Sequence, residues 1–383
     1  MMTFYAYDIH GIISVVSDAS LPELESFRVP KMIDQPTIRV RIGKPVATNG
    51  HSPNGHGSNG HSPNGIEKIR FAEWTGWRGF SIEITRGNPI EVAASSLLAK
   101  SPHVLYTNVV EPILRWTFVE RGYALVHGAC LACGDDAYLV TARTDTGKTT
   151  TILRTLDSQP NFDFLSDDLT IISPDGRVLP YPKPLTISRH TLVAVKTPLL
   201  TRKERTGLFF QSRLHSRSGR RFGLLLTKSG MPMATTNAVI QRMVPPPKFS
   251  VERLVPQVKV APSAKLAGLI VIERGGNGEV ILAPDEALEI LMANCEDSYG
   301  FPPYADIKSF LYGSNGYDLR PVERLIVASA LTGRPATLIR SETRDWWQRL
   351  PAFVTSSIET VSPLLKSVAN GQGVVPAPVQ AGD

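Results

Sequence analysis

Cysteine and long apolar runs are both scarce in this chain of 383 residues. The 3 cysteines exclude a disulfide framework, and such a small, odd number suits a reducing compartment. Since no segment approaches the roughly 18 consecutive apolar residues of a spanning helix, we expect no membrane span. The first residues also lack the basic start of a secretory signal. We therefore expect a cytoplasmic protein.

Net charge is low as well, because 41 Lys and Arg face 35 Asp and Glu, for a net charge of +6. The surplus lies in one basic segment between Arg202 and Arg221. We interpret this segment as a solvated insertion, and the alternative is a surface that grips a phosphorylated substrate, an acidic peptide or nucleic acid. Because the rest of the chain is nearly neutral, we do not expect nucleic acid as a partner.

A low-complexity segment interrupts the first part of the chain. Residues 49–65 repeat Asn, Gly, His, Ser and Pro with nothing apolar to bury, which predicts a flexible linker. Its evenly spaced His51, His56 and His61 suggest a metal site as the alternative. We favour the linker, because a tether gives imidazoles no fixed geometry.

Short β-like runs on both sides of this linker predict a β-rich N-terminal lobe made of residues 1–48 and 66–115. Residues 116–366 alternate strand and helix patterns and predict an α/β domain with a mixed sheet, and residues 367–383 predict a disordered tail. The predicted elements of the α/β domain include Tyr123–Cys133, Ala137–Ala142, Thr149–Leu156, Phe162–Ser173, Arg177–Leu179, Leu266–Glu273 and Pro284–Asn294.

A loop suited to phosphate binding joins a predicted strand to a predicted helix. Residues 142–149 read Ala-Arg-Thr-Asp-Thr-Gly-Lys-Thr, at a place where backbone N–H groups and a helix N-terminus can face an anion. A helix start without a ligand is the alternative, but the strand and helix context favours a nucleotide site. The candidate binding residues are Thr144, Asp145, Thr146, Gly147, Lys148, Thr149 and Thr150.

Three of these residues have a defined chemistry. Gly147 would let the backbone approach the phosphates, and Lys148 would neutralise the β and γ oxygens of a nucleotide. The hydroxyl of Thr149 is placed to bind Mg²⁺. The ligands that we expect are therefore ATP and Mg²⁺. Arg143, inside the loop, and Lys183, in a Pro-Tyr-Pro-Lys-Pro segment, are further candidates near the site.

An acidic pair, Asp167 and Asp168, opens a predicted strand shortly after the loop. Neighbouring residues of a strand point to opposite faces, so one carboxylate can reach Mg²⁺ while the other acts as general base on a substrate hydroxyl. A solvated acidic turn is the alternative, and the upstream phosphate loop favours the functional interpretation. His127, on the strand before the loop strand, is by itself more typical of a hydrogen-bonded core histidine. Cys130 and Cys133 predict small buried side chains, since residues three apart on a strand face opposite sides.

Together these residues resemble the HPr kinase/phosphorylase superfamily, whose P-loop domain is related to that of phosphoenolpyruvate carboxykinase. The landmarks occur in the family's order: a His-Gly on one strand (His127 and Gly128), then a Gly-Lys-Thr loop, then an Asp-Asp pair. The resemblance covers Tyr123 to Ile187 and extends more weakly to residues 266–276. It implies a mixed-sheet P-loop kinase domain over residues 116–366.

The resemblance also implies roles for individual residues. Asp167 would be the base that removes a proton from an acceptor hydroxyl, and Asp168 would help Thr149 to hold Mg²⁺. His127 would approach the transferring phosphate. The implied activity is an ATP- and Mg²⁺-dependent kinase that phosphorylates a serine-type hydroxyl of a small molecule, a peptide or a protein. The sequence leaves a homo-oligomer open.

Several positions depart from the family pattern. Ala142 and Asp145 replace glycines, and Thr150 stands where HPr kinases usually have Glu. The Arg-Gly-rich signature that HPr kinases use for phosphorolysis is missing, and the segment Glu273-Arg-Gly-Gly276 is only weakly similar to it. We therefore do not expect bifunctional kinase/phosphorylase activity. The departures motivate an alternative hypothesis, a catalytically silent nucleotide-binding regulatory module. Carboxykinase chemistry and the Gly-Lys-Thr-Thr loop of amide ligases are weaker alternatives.

Overall fold

The computed structural model describes residues 4–43, 60–61, 67–73, 79–187, 191–192, 201, 232–314 and 317–354. The basic segment, the tail and all of the linker except residues 60 and 61 lie outside the described residues. Within the described ranges, no helix is both long enough and apolar enough to cross a membrane.

The first part of the chain forms an eight-stranded mixed sheet. Its strands are β1 Tyr5–Ile9, β2 Ile13–Ser17, β3 Arg28–Val29, β4 Ile38–Gly43, β5 Gly60–His61, β6 Glu67–Ala72, β7 Ser81–Thr85 and β8 Ile90–Ser95. The order is β3-β1-β2-β4-β8-β7-β6-β5, and β4 runs parallel to both β2 and β8. In β4, Ile38 and Val40 are buried, Arg39 between them is half-buried and Arg41 is exposed, so the strand is buried on one face.

A helical stretch links this sheet to the second one. It consists of α1 Ser96–Ala99, α2 Pro102–Leu105, a π-helix Tyr106–Val110 and α3 Glu111–Glu120, and a 3₁₀ helix Pro22–Phe27 lies earlier in the chain. Helix α3 contacts both β2 and the first strand of the second sheet, so almost all of its residues are buried. Helix α3, at the end of this stretch, therefore packs between the two sheets.

The second sheet is also mixed and contains nine strands. These are β9 Ala124–His127, β10 Ala129–Cys133, β11 Asp136–Thr141, β12 Phe162–Ser166, β13 Leu169–Ile172, β14 Arg177–Leu179, β17 Ala264–Arg274, β18 Gly278–Ile281 and β21 Ala336–Ser341. Strands β11, β17 and β21 are parallel, and their carboxyl ends lie on one edge. Two small pairs complete the strands: β15 Leu185–Thr186 with β16 Lys248–Phe249, and β19 Gly313–Ser314 with β20 Tyr317–Asp318.

Helices cover both faces of this second sheet, as expected for strands with apolar residues on both sides. Helix α4 Lys148–Ser158 contacts β10 and β12, α7 Pro284–Asp297 contacts β9, and α9 Arg320–Leu331 contacts β9, β13 and β17. Further helices are α5 Met233–Met243, which contacts α1 and α2, α6 Val251–Leu254, and α8 Tyr304–Tyr312, which contacts α3 and β6; residues 346–354 are also helical. In β11, Tyr138 and Val140 pack into the cluster that contains α4, whereas Leu139 packs into the cluster of α7 and α9. The α/β class with a mixed sheet is thus confirmed.

Candidate functional site

The loop at residues 142–147 joins β11 to α4, as the sequence predicts. Gly147 has a φ of 133°, a backbone conformation that only glycine adopts without strain, and a Cβ there would come within 3.3 Å of the Trp346 ring. Asp145 has a left-handed φ of 63°, which Asp tolerates better than most residues. Ala142, at the position where the phosphate-loop pattern has glycine, is buried in the cluster that contains Trp346. The loop therefore keeps its turn despite both replacements.

Two side chains from outside the loop contact it, and sequence reasoning did not single out either one for this role. The Arg274 guanidinium at the end of β17 donates from Nε to the Thr146 carbonyl at 3.0 Å and also donates to the Asp145 carbonyl. The Asp297 carboxylate at the end of α7 accepts from Thr144 Oγ1 at 3.2 Å. Only the position of Arg274, at the carboxyl end of a predicted strand parallel to the loop strand, could have pointed to this contact.

Gly128 lies in the one-residue link between β9, which ends at His127, and β10, which pairs with the loop strand β11. A Cβ at Gly128 would lie 2.8 Å from Leu139 Cδ1 and 3.2 Å from the Val140 carbonyl oxygen, so only glycine allows this backbone to approach β11 so closely. The backbone N–H of Gly128 donates to the Asp168 carbonyl at 3.0 Å. The result is that His127, the acidic pair and the loop strand lie side by side.

His127 contacts the loop lysine directly. Its Nε2 lies 2.7 Å from Lys148 Nζ, and its Nδ1 lies 3.0 Å from the Asn294 carbonyl oxygen on α7. Because a carbonyl only accepts, Nδ1 donates to Asn294, and Nε2 lies within reach of both Lys148 Nζ and Asp168 Oδ1. Lys148 also donates to the Ala142 carbonyl at 3.2 Å, and burial lowers the pKa of its ammonium. His127 thus contacts the loop lysine as well as being a buried residue.

The acidic pair lies in a two-residue link between β12 and β13, not inside a continuous strand as the predicted run 162–173 suggested. Asp168 has a φ of 79°, and this left-handed turn breaks the alternation that would send the two side chains to opposite faces. Both carboxylates consequently line one cavity of about 310 Å³. His127, Thr144 and Thr149 line the same cavity.

Asp167 has one satisfied and one unsatisfied oxygen. Its Oδ2 accepts from the Thr149 hydroxyl at 2.9 Å, whereas its buried Oδ1 has no hydrogen-bond partner. Burial, followed by the neighbouring charge of Asp168, raises the pKa of Asp167 to about 6. A carboxyl group with this pKa can exchange a proton near neutral pH.

Asp168 has the opposite electrostatic surroundings. Burial alone would raise its pKa, but Lys183 and His127 hold the pKa of this carboxyl well below its usual range. Its Oδ2 accepts from Lys183 Nζ at 2.7 Å, and its Oδ1 lies 3.2 Å from His127 Nε2. Lys183 also donates to Glu111 Oε2 at 3.2 Å, and burial raises the pKa of Glu111 to about 7. Asp168 therefore stays ionised down to a lower pH than Asp167 does.

A second cavity, of about 510 Å³, lies on the other side of the loop. Residues 142–146, the end of β17, one face of α7 and part of β21 line it, and Thr144 borders both cavities. The loop thus stands between two spaces at the carboxyl edge of the parallel strands, where ligands commonly bind in α/β sheets.

The residues around Asp167 are suited to a hard divalent cation. The Thr149 hydroxyl, the unpartnered Asp167 oxygen and the Asp168 carboxylate are oxygen donors, which Mg²⁺ prefers over nitrogen or sulfur. Across the described part of the chain, no group of three or more His, Cys, Asp or Glu side chains is arranged to hold a metal ion. Cys130 is buried as predicted, whereas Cys133 is partly exposed.

Most of the candidate residues from the sequence come together here, and the structure adds Glu111, Arg274, Asn294 and Asp297. Arg143 lines the second cavity and Lys183 lines the first. No family model matches this chain, and a search of curated proteins finds no relative. Functional assignment depends on the chemistry of the site and on the sequence resemblance.

Proposed function

We propose that this chain is an ATP- and Mg²⁺-dependent phosphotransferase similar to HPr kinase, with a serine-type hydroxyl on a small molecule, peptide or protein as acceptor. The observation that carries the proposal is the unpartnered Oδ1 of Asp167, a buried carboxyl with a pKa of about 6 beside the phosphate loop. A buried polar atom without a partner is costly to the fold, so it points to a ligand.

The loop would bind the transferring end of the nucleotide. No side chain caps the start of α4, so the first N–H groups of this helix are available to phosphate oxygens. Lys148 adds a positive charge at the same place, and its hydrogen bond to His127 fixes where the ammonium points. The second cavity offers the remainder of the nucleotide a space next to Thr144, with apolar walls from Ile290 and Leu338.

The acceptor would bind in the first cavity with its hydroxyl at Asp167. The hydroxyl oxygen forms a bond to the γ-phosphorus, the bond from that phosphorus to the β–γ bridging oxygen breaks, and ADP leaves with the electron pair. Asp167 accepts the hydroxyl proton. Thr149 and Asp168 would hold Mg²⁺, which supplies charge neutralisation on the phosphates when bound.

One observation favours the alternative of a silent nucleotide-binding module. The Asp297 carboxylate lies 3.2 Å from Thr144 Oγ1, at the loop that would receive phosphate, and Asp145 brings a second carboxylate to the same loop. Two acidic side chains oppose a polyphosphate electrostatically. A module of this kind would bind a nucleotide weakly and would not turn it over.

The deciding experiment measures ATP binding and ADP formation by the purified chain with and without Mg²⁺. L-serine, Ser-containing peptides and sugars are offered as acceptors, and Lys148→Ala is compared with the unaltered chain. Acceptor-dependent ADP formation that Lys148→Ala abolishes would support the kinase. Binding without turnover would move the assignment to the silent module, and no binding would refute both.

A further inference from the structure

We propose that the N-terminal lobe is a working part of this catalytic centre: it fixes Lys183, and Lys183 together with Glu111 positions Asp168. The inference rests on the proposed phosphotransferase function and assigns a role to a part of the chain for which the sequence suggested none. Glu111 and Lys183 are positioning residues in this scheme, because they act through Asp168 and not on the substrate.

Asp168 needs external support to keep its conformation. It is a non-glycine residue with a φ of 79°, a region in which the backbone is strained unless its surroundings hold it. Its two carboxylate oxygens are fixed from two sides, by Lys183 and by His127. If either partner were removed, the carboxylate could rotate away from Thr149 and Asp167.

Lys183 is itself held between two carboxylates. Its Nζ lies 2.7 Å from Asp168 Oδ2 and 3.2 Å from Glu111 Oε2, and its side chain is only 11% exposed. Glu111 is the first residue of α3 and directly follows the π-helix Tyr106–Val110, a type of irregularity that is frequent at functional sites. The helical stretch between the two sheets thus supplies the second anchor of the lysine.

The segment that carries Lys183 is fixed by the first sheet and its 3₁₀ helix. His10 donates to the Pro180 carbonyl at 2.7 Å, and Ser26 donates to the Pro182 carbonyl at 3.0 Å. Between these two prolines, the Tyr181 hydroxyl lies 2.7 Å from the Tyr106 hydroxyl, at the start of the π-helix. Each residue from 180 to 182 is therefore tied to the N-terminal part of the chain.

These contacts form one continuous path from the lobe to Lys148, the residue that would bind the phosphates in the proposed function. It runs from His10 and Ser26 through the Pro180–Lys183 segment to Asp168, and then to the loop lysine through His127. A path of this kind has a specific consequence, because supporting residues around a metal or catalytic carboxylate change its efficiency without contacting the ligand. Substitutions in the lobe should therefore change the Mg²⁺ dependence of nucleotide binding and the rate of ATP cleavage more than the affinity for ATP itself.

The test uses the full chain and two measurements. Glu111→Gln keeps the shape of the side chain and removes its charge, so above pH 7, where Glu111 is ionised, Lys183 loses one of its two anions. We expect the Mg²⁺ concentration for half-maximal nucleotide binding to rise and the single-turnover rate of ATP cleavage to fall, each by roughly 10-fold or more. The affinity for ATP in EDTA should stay unchanged, a separation that a general loss of folding would not produce.

Two further comparisons test whether the charge of Lys183 matters more than its shape, and whether the contacts from the N-terminal lobe matter as well as Glu111. Lys183→Arg should recover part of the rate that Lys183→Met loses, since Arg keeps the cation. His10→Ala combined with Ser26→Ala should change metal dependence in the same direction as Glu111→Gln. The matched control is Glu25→Gln, which lies beside Ser26 in an exposed pair with Arg28 and contacts no part of the Pro180–Lys183 segment.

The outcomes distinguish the inference from the function on which it rests. If the unaltered chain neither binds nor cleaves ATP, the proposed function fails. If it does both and Glu111→Gln behaves like Glu25→Gln, the positioning role is overturned. If Glu111→Gln is impaired but the His10 and Ser26 double variant matches the control, the lobe has no part in positioning Asp168, and that half of the inference is overturned.

Discussion

Two networks of buried charge start from the same helix, and they differ in how completely they are satisfied. Arg115 and Glu111 are one helical turn apart on α3. Arg115 is fully buried and donates to both oxygens of Glu323, at 2.7 and 2.8 Å, with Glu296 at 2.8 Å as a further partner. Although burial alone would lower it, Glu323 holds the pKa of Arg115 well above its usual value.

The network that begins at Glu111 is left incomplete. From Glu111 the contacts continue through Lys183, Asp168 and His127 to Lys148. Asp167, which is next to Asp168 in the chain, has a buried oxygen without a hydrogen-bond partner. Burial raises the pKa of both Glu111 and Asp167 into the neutral range. A fully hydrogen-bonded network such as that of Arg115, here called closed, fixes one packing of the helices. An incompletely bonded network such as that of Glu111, here called open, carries a free-energy cost in the folded state that a bound ligand can remove. The comparison predicts that the two networks respond in opposite ways to loss of a charge.

The largest expected effect is on the open network. Asp167→Asn keeps the size of the side chain and its contact with Thr149 but removes the proton acceptor. The rate of phosphate transfer should fall by about 10² to 10⁴-fold, the usual contribution of a positioned general base. ATP affinity and melting temperature should not fall. The measurement is single-turnover phosphate transfer, with ATP binding of the same sample as its control.

An Asp167→Asn variant that transfers phosphate at the unaltered rate would remove Asp167 from the mechanism. A variant that loses rate and nucleotide affinity together would assign Asp167 to ligand binding instead of proton transfer. In both cases the open network would no longer differ from the closed network by having a role in proton transfer.

The closed network should respond through stability. Glu323→Gln leaves the buried Arg115 charge with only Glu296, so the free energy of unfolding should fall by about 3 kcal/mol, the low end for breaking a buried ion pair. Transfer rate per folded molecule should not change. Chemical denaturation measures the loss. The control is Glu289→Gln. Glu289 on α7 forms an exposed ion pair with Arg324 on α9, so this variant should unfold like the unaltered chain.

If Glu323→Gln left stability unchanged, the Arg115 network would not be a stabilising element, and its good geometry would only offset the cost of burial. If it instead lowered the transfer rate at full stability, α3 would couple the two networks. The second result would extend the positioning role of α3 beyond Glu111.

The sequence predicted the local elements that carry the site and missed the contacts between distant segments. The loop at Gly147 and Lys148 has its own spacing and turn residues, so its strand and helix context could be recognised directly. Glu111 and Arg274 carry no such local signal. They reach the site because α3 packs between two sheets and β17 runs parallel to β11, which is tertiary information.

The acidic pair shows where a local rule failed. Alternation along a strand places Asp167 and Asp168 on opposite faces, but the left-handed φ of Asp168 turns both toward one cavity. Asp at a left-handed position is uncommon, and the surroundings that hold it there come from residues far away in the sequence. The residue types and their order were therefore predictable, whereas their shared direction was not.

The smallest predicted effect concerns pH and the stability cost of the unpartnered carboxyl. Asp167 has a pKa of about 6 in the folded chain against an ordinary value of 3.8, so the folded state keeps its proton while the unfolded state loses it between about pH 4 and 6. The unaltered chain should therefore lose stability relative to Asp167→Asn as the pH rises through this window. The gap should be near zero at pH 4 and reach roughly 1–3 kcal/mol above pH 6.

Denaturant unfolding of both chains in metal-free buffer at pH 4, 5, 6 and 7 measures this gap. Glu25→Gln is the reference for a carboxyl that lies at the surface, and its stability should follow that of the unaltered chain at every pH. A constant gap across this range would mean that Asp167 titrates normally. The ionised Asp167 would then not lower the free energy of unfolding, and the physical distinction from the closed Arg115 network would disappear. A gap that widens with pH would show that the residue proposed to receive the proton is also one that destabilises the folded chain, as expected of a site built for a ligand.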